Sequence, residues 1–342
     1  MRRVLPMAIA GLVVAGLAIF WLRTRSPRPE ATRWRTRVVA SFPIGEGRDA
    51  VASYPGVDGQ TYGPLAFAAN GSQLCILDTY RSRVLIVGRG LRSRQPLRTV
   101  TIPDGLLEAV AWDARTSTWL VADNRHLIVW AIQGGRARPL IQLGERKGFS
   151  GAIESLAVGP GGQIFISSAV VGHGQLQATL GQYGSNGRSI HQHTVVVNDA
   201  DLAAGTAHNT VVLLALSGIS VGADGDLYML SGSGGSAMSP AGVLAVNPAT
   251  LQVEGRVTLP RSRGHLALLG LTRTGAMYLA VGGQSNPRWV VGYDQDGKLV
   301  LRIPLPTESL SSSVYADVTP SGSLFLAETT RTTYRIRAVS RR

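Results

Sequence analysis

Residues 63–87 read GPLAFAANGSQLCILDTYRSRVLIV: an aliphatic strand, a Gly-containing turn, a second aliphatic strand, then a polar loop into a third. Looser copies follow at 110–130 (VAWDARTSTWLVADNRHLIVW), 154–167 (ESLAVGPGGQIFIS), 219–230 (ISVGADGDLYML), 269–281 (LGLTRTGAMYLAV) and 316–328 (ADVTPSGSLFLAE). A unit of this size cannot bury two apolar faces alone. Six recurrences about forty to fifty residues apart therefore predict a six-bladed β-propeller, one blade per copy. The expected blades run 59–104, 105–148, 149–198, 213–260, 264–309, and 312–342 joined to 35–45.

The joined ends follow from a second recurrence. RTVTIP at 98–103, RVTLP at 256–260 and RIP at 302–304 each close a blade with a strand running into proline. The same phrase stands at 35–43 as RTRVVASFP, before any complete blade, whereas the last repeat stops at YRIRAV, 334–339. The N-terminal strand is expected to complete the sixth blade, which removes the open sheet edges. An insertion, NDADLAAGTAHNT at 198–210, separates blades three and four and maps to a loop on one face.

The first 22 residues are of another kind. Val4–Leu22 carries no charge and would measure about 28 Å as a helix, close to the hydrocarbon thickness of a bilayer. No small-residue cleavage site follows it, and Trp21 with the next arginines resembles an interfacial belt, so 1–22 reads as an uncleaved transmembrane anchor. Residues 23–34 form a basic, Pro-containing linker, and 35–342 the propeller. The expected location is the cell membrane, single-pass, with the propeller on the extracytoplasmic side, because large domains translocate largely regardless of flanking charge. Of the net charge of +13, residues 1–35 hold +6, seven arginines against one glutamate, which leaves 13 − 6 = +7 for the rest.

Cys75, the single cysteine, alternates into an apolar strand and excludes an intrachain disulfide. Aligning the repeats on Leu65, Val110, Leu156, Ile219, Leu269 and Ala316 puts Glu108 and Glu154 at one position of adjacent inner strands. Tyr62 then falls just before that position and Ser217 upon it. These four are the candidate channel-mouth residues. No metal is expected; in the alternative reading Glu108 and Glu154 would be the ligands, since two hard carboxylates at a channel mouth suit a cation. Arg81, Arg83, Arg89, Arg92, Arg94 and Arg98 fall within eighteen residues free of acids, a candidate site for an anionic ligand. His191 and His193 alternate onto one strand face with no third ligand at a nearby spacing, although His173 or His208 lies within reach of a folded chain. His126 and His265 read as isolated strand-end residues. SGSGGS at 231–236 precedes no helix, so it reads as a blade loop and not a phosphate cradle.

The pattern resembles the NHL-repeat family of β-propellers, whose phrase ends the second strand in Asp and continues through a polar loop. Asp78, Arg83 and Val84 fit it in blade one, and Asp123, Asn124 and Arg125 in blade two; later blades keep strands and turns but lose the Asp and Asn. GEGRDAVASYPGVDGQTYGP, 45–64, is similar to membrane-anchored bacterial NHL-like proteins. The resemblance implies a fold and leaves activity open, because such propellers host both binding modules and enzymes. With the blade-one arginines and the loop faces as recruiting surfaces, the expected role is a non-catalytic binding or scaffolding module for a protein partner or an acidic envelope polymer, with no cofactor. Nucleic acid is not expected, since no aromatic residues are interleaved with the arginines. The alternative is a metal-dependent hydrolase or lyase of the six-bladed lactonase-like type, centred on the channel. In that group a Glu-Gly-Pro phrase supplies a metal ligand; here it reads Tyr62-Gly63-Pro64.

Overall fold

In a computed structural model of the chain, the described residues are 34–55, 61–88, 96–144, 149, 151–198, 210–212, 218–231, 242–259, 265–283, 286–305 and 314–341. They form six four-stranded antiparallel sheets and a two-residue ladder that pairs Tyr54–Pro55 with Thr61–Tyr62. The protein is an all-β, six-bladed propeller. The anchor expected over 1–22 and the linker expected over 23–34 lie outside the described residues, except for Trp34, which begins a strand. Among the described residues no helix is long and apolar enough to cross a membrane.

Blade one consists of Ala66–Ala69, Gln73–Asp78, Arg83–Gly88 and Arg98–Thr101, paired in chain order. Blades two to five repeat that meander, with inner strands Leu107–Asp113, Ala152–Val158, Ser220–Val221 and His265–Leu271. The sixth sheet is ordered Ala316–Val318, Leu324–Thr329, Thr333–Arg341 and Trp34–Pro43. Its outer strand comes from the beginning of the domain.

Alternation along each strand explains why the blades need one another. In blade one, Phe67, Ala69, Leu74, Ile76, Leu85 and Val87 pack against Phe325, Ala327, Tyr334 and Ile336 of blade six. Their neighbours Ala66, Ala68, Cys75, Leu77, Val84 and Ile86 pack the other way, against Leu107, Trp119, Val121 and Ile132 of blade two. The same division recurs between blades two and three, three and four, and four and five. Each fully buried Leu, Ile or Phe contributes roughly 1.5–3 kcal/mol, and the core is a set of interlayers between blades. Cys75 sits within one of them, and burial pushes its thiol up, away from reactivity.

Polar pins cross the seams. Between blades six and one, Ala69 N donates to Asp317 Oδ2 at 2.7 Å and Val314 N to Leu65 O at 3.0 Å. Gly63 passes so close to blade six that a Cβ there would lie 2.7 Å from Thr329 Cγ2, which is why the GP phrase needs its glycine. Burial raises the Asp317 carboxyl from 3.8 to about 6, against the two backbone N–H groups that favour its charged form.

The folded chain thus holds the Asp317 proton more tightly than the unfolded one. Stability from this group is complete below pH 4, declines as pH rises towards 6, and is absent at neutral pH. Asp317→Asn keeps an acceptor for Ala69 N and removes the charge. It is expected to raise stability at pH 7.5 by about 1–2 kcal/mol, a discounted figure because the residue as a whole is only partly buried, and to match wild type at pH 4. Parallel thermal melts of both chains from pH 4 to 8 that superimpose at every pH would refute this role.

Candidate functional site

In a four-stranded meander, the turn from second to third strand and the connector to the next blade share one end of the sheet. Glu108, Glu154, Tyr62, Tyr80 and His173 all belong to that end by topology; residues 199–209 of the insertion lie outside the described residues. Hydrogen bonds knit it together. Thr79, which follows Asp78, donates through Oγ1 to Leu107 O of blade two at 2.6 Å. Asn124, which follows Asp123, takes the equivalent place one blade on: its Oδ1 accepts from Ile153 N at 2.7 Å and its Nδ2 donates to Ile153 O at 3.3 Å.

The residues next to those two anchor points are Glu108 and Glu154. Each occupies a β-bulge. In blade two the pairing steps from Leu107↔Asp123 to Ala109↔Ala122, and in blade three from Ile153↔Ser168 to Ser155↔Ser167, leaving one glutamate unpaired in each inner strand. A bulge re-aims the extra side chain away from the ladder, and the same irregularity in neighbouring blades presents two carboxylates at one mouth. Asn124 Nδ2 also donates to Glu108 Oε2 at 2.5 Å, so one amide serves both blades. Glu108 is half-buried and Glu154 exposed.

Both carboxyls are held above the ordinary range. For Glu108, burial is the larger cause and the Asn124 hydrogen bond opposes it. For Glu154, exposed as a residue, partial desolvation of the carboxyl acts first and the negative charge of Glu108 adds to it. The pair repel, so the site favours a hydrogen-bond donor or a positive charge placed between them.

The other expectations resolve unevenly. Register sets Val110 and Leu156 level with Phe67 and not with Leu65, because Phe67↔Ile76 stands two residues before Asp78 just as Val110↔Val121 stands two before Asp123. Leu65, buried, is thus the blade-one counterpart of Glu108 and Glu154. Tyr62 lies instead on the Tyr54–Tyr62 ladder, stacked on Tyr54. Ser217 is outside the described residues, as are Arg89, Arg92, Arg94 and His208.

Arg81 and Arg83 are engaged with their own chain. Arg81 Nη1 donates to Ala50 O at 2.6 Å and Gly47 O at 3.1 Å, and its Nη2 to Gly45 O. Arg83 donates to Asp78 Oδ2 at 2.8 Å, to Ala50 O at 2.5 Å and to Arg48 O at 3.2 Å. Asp78 completes this clamp by accepting from Ala52 N at 2.9 Å. The two arginines hold the approach to blade one against its second strand. Among the described members of that basic run, Arg98 alone is exposed.

His191 and His193 do share a face, ring centroids 6.4 Å apart, and His193 Nε2 is buried without a partner. His173 sits at φ 53° in the turn between two strands of the same blade. His126 bonds Asp123 at 2.7 Å through Nδ1. Burial works to raise the Asp123 carboxyl, and bonds from His126, Leu106 N and Trp130 outweigh it, leaving the group below its ordinary value. The His265 side chain and residues 232–236 lie outside the described residues. Among the described residues, no three His, Cys, Asp or Glu side chains gather as a metal site. Two carboxylates fall well short of the roughly six oxygens a calcium ion takes, so the described donors alone do not make a calcium site.

Sequence reasoning passed over Asn124 as a site residue, and with it Tyr54 and Tyr80. The signal for Asn124 was its polar place after Asp123, already quoted for the repeat. For the tyrosines, only the fold brings positions 54, 62 and 80 together.

No protein-family model matches the sequence, and no curated protein matches it. Among solved structures, a gluconolactonase of Xanthomonas campestris is similar over 83% of this chain and 91% of its own, at 15% identity and a TM-score of 0.48. Hydrazine synthase of Kuenenia stuttgartiensis is similar over 78% of this chain and 92% of its own, at 14% identity and a TM-score of 0.46. The six-bladed architecture rests on the sheet order itself.

The arginine clamp has a measurable consequence. Arg83→Met leaves the Asp78 carboxylate buried with its main cation gone, a loss expected to cost about 2–4 kcal/mol. Urea unfolding followed by tryptophan fluorescence checks this, and an unchanged midpoint would show that Arg83 does not hold the approach loop.

Proposed function

We propose that this chain is a membrane-anchored, NHL-like propeller that works as a binding module outside the cytoplasmic membrane, tethered by 1–22 and stood off by the basic linker. Its binding face is the end that carries Glu108 and Glu154. One observation supports that choice above the others: equivalent bulges in neighbouring blades turn two mutually repelling carboxylates to the same mouth, an arrangement that costs stability and is relieved by a ligand. The ligand offers hydrogen-bond donors or positive charge there, and it belongs to a partner protein or an envelope polymer. The basic run of the sequence that ends at the exposed Arg98 is where an anionic envelope polymer would dock instead.

Immobilised full-length chain, exposed to solubilised envelope material, separates these surfaces. Recovery is expected to fall at least fivefold for the Glu108→Gln/Glu154→Gln double variant and to hold for Arg98→Glu. The reverse result assigns binding to the basic edge, and equal recovery from all three chains removes the channel-mouth face.

A metal-dependent hydrolase or lyase is the second reading, favoured by the same adjacency of Glu108 and Glu154. It requires further ligands from residues beyond the described set. Elemental analysis of the purified full-length protein decides it: a stoichiometric divalent ion that disappears in Glu154→Gln supports the enzyme, and a protein free of divalent metal supports the binding module.

A further inference from the structure

We propose that the outer strand of blade three, Ser189–Asn198, is a dimerisation edge, on which a second copy of this chain pairs antiparallel and joins two four-stranded blades into one continuous sheet. The inference does not depend on what the channel mouth binds. Each blade of a ring ends in an outer strand whose far rim can template another strand, and propellers keep such rims short or guarded. Five of the six rims here are guarded by charge: Arg98, Arg136, Arg256, Arg302 and Arg35 stand in the outer strands of blades one, two, four, five and six. Those of blades two, five and six also contain proline.

Blade three has neither guard. Its outer strand reads SIHQHTVVVN, ten residues without proline, acid, lysine or arginine, and it ends the order of its sheet. It also runs past the inner strand. Ala152↔Ala169 is the last pair of the first two strands, whereas Val170, Val171 and Gly172 pair onward with Gln177, Leu176 and Gln175, and residues 196–198 continue alongside. Val170, Val171, Ile190 and Val196 of this blade are four of the eight exposed large hydrophobic side chains among the described residues, and Val196 is 54% exposed. The strand is held ready for pairing. Val195 and Val197 pack into the seam with blade four, and Thr194 Oγ1 is hydrogen-bonded to Thr179 Oγ1 of the third strand at 3.2 Å. A strand ordered in advance loses little conformational freedom when it pairs.

Charge and symmetry select the occupant. A two-fold axis normal to the sheet pairs a strand with its own copy, antiparallel, and sets side chains near the axis against their own kind. An arginine there meets an arginine, which opposes self-pairing at the other five rims. The blade-three strand meets its copy without a lysine or arginine, in a chain whose net charge of +13 otherwise drives copies apart. The axis keeps the two faces of the sheet distinct, so Val195 and Val197 stay on one side of the joint and Thr194 and Val196 on the other. With Thr194 at the axis, residues 191–197, beyond the irregularity at 190, pair with themselves. The two channel mouths then point in opposite directions, because Asn198 marks the mouth end of the strand. A strand pair alone buries less than the roughly 800 Å² per partner of a standard interface, so the dimer is expected to dissociate on dilution.

Sedimentation velocity of the full-length chain in detergent, across the micromolar range, tests this. The expected result is a dimer at high concentration, weakened about tenfold or more by Val196→Lys, which seats two like charges in the joint. Thr194→Cys gives a second readout, since Cys75 is buried. A short bismaleimide is expected to link its copies and to leave Thr101→Cys, on the guarded rim of blade one, unlinked. Circular dichroism checks that the exposed substitutions leave the fold intact. A monomeric wild type overturns the proposal, as does a dimer that survives Val196→Lys or links at both cysteine positions alike. A monomer that captures an envelope protein and loses it on Val196→Lys gives the rim to a foreign strand, and the second copy falls.

Discussion

Every blade of this protein carries apolar side chains on both faces, so no sheet can exist without a neighbour on each side. Phe67 and Ala66 are adjacent in one strand, yet one packs toward blade six and the other toward blade two. A two-faced sheet in an open row would leave a face exposed at each end. Closing the row into a ring is the arrangement that wets neither. The strand Trp34–Pro43 in the sixth sheet is the covalent expression of that need, because it ties the first turn of the ring to the last.

From ring closure follows the placement of polar groups. A hydrogen-bonding side chain at the end of a second strand finds the next blade's inner strand within reach, and Thr79 and Asn124 both use it. These seams fix the backbone on either side of Leu107 and Ile153. The bulged glutamates one residue further on therefore project from anchored positions. Asp78 and its arginines do the same for the approach loop, holding a long irregular segment against blade one by its carbonyl oxygens. The candidate site and the seams share one end of the molecule because the connectors that close the seams are also the loops that face outward.

The shift in blade one shows where a repeat pattern loses resolution. Leu65, Ala66, Phe67, Ala68 and Ala69 are all apolar, so moving the frame by two residues keeps every side chain on its face and leaves the pattern satisfied. Tyr62 took its expected place at the channel from that frame. The pairing of Phe67 with Ile76 moves it to a separate ladder, where it stacks on Tyr54 instead. Arg81 and Arg83 illustrate a different limit. Six arginines without a nearby acid read as a surface seeking anions, but the carbonyl groups of residues 45–50 lie some thirty-five positions earlier and meet them only after folding.

The amino-acid sequence by itself determined the blade number, the position of the closing strand and the equivalence of Glu108 with Glu154, since each is a matter of period, and periodic burial is written into the order of apolar residues. Only the tertiary structure decided which of those residues bulge, which arginines are consumed by backbone oxygens and which tyrosines stack. Those outcomes depend on strand register and on contacts between segments distant in the chain, and neither leaves a local trace in the side chains that take part.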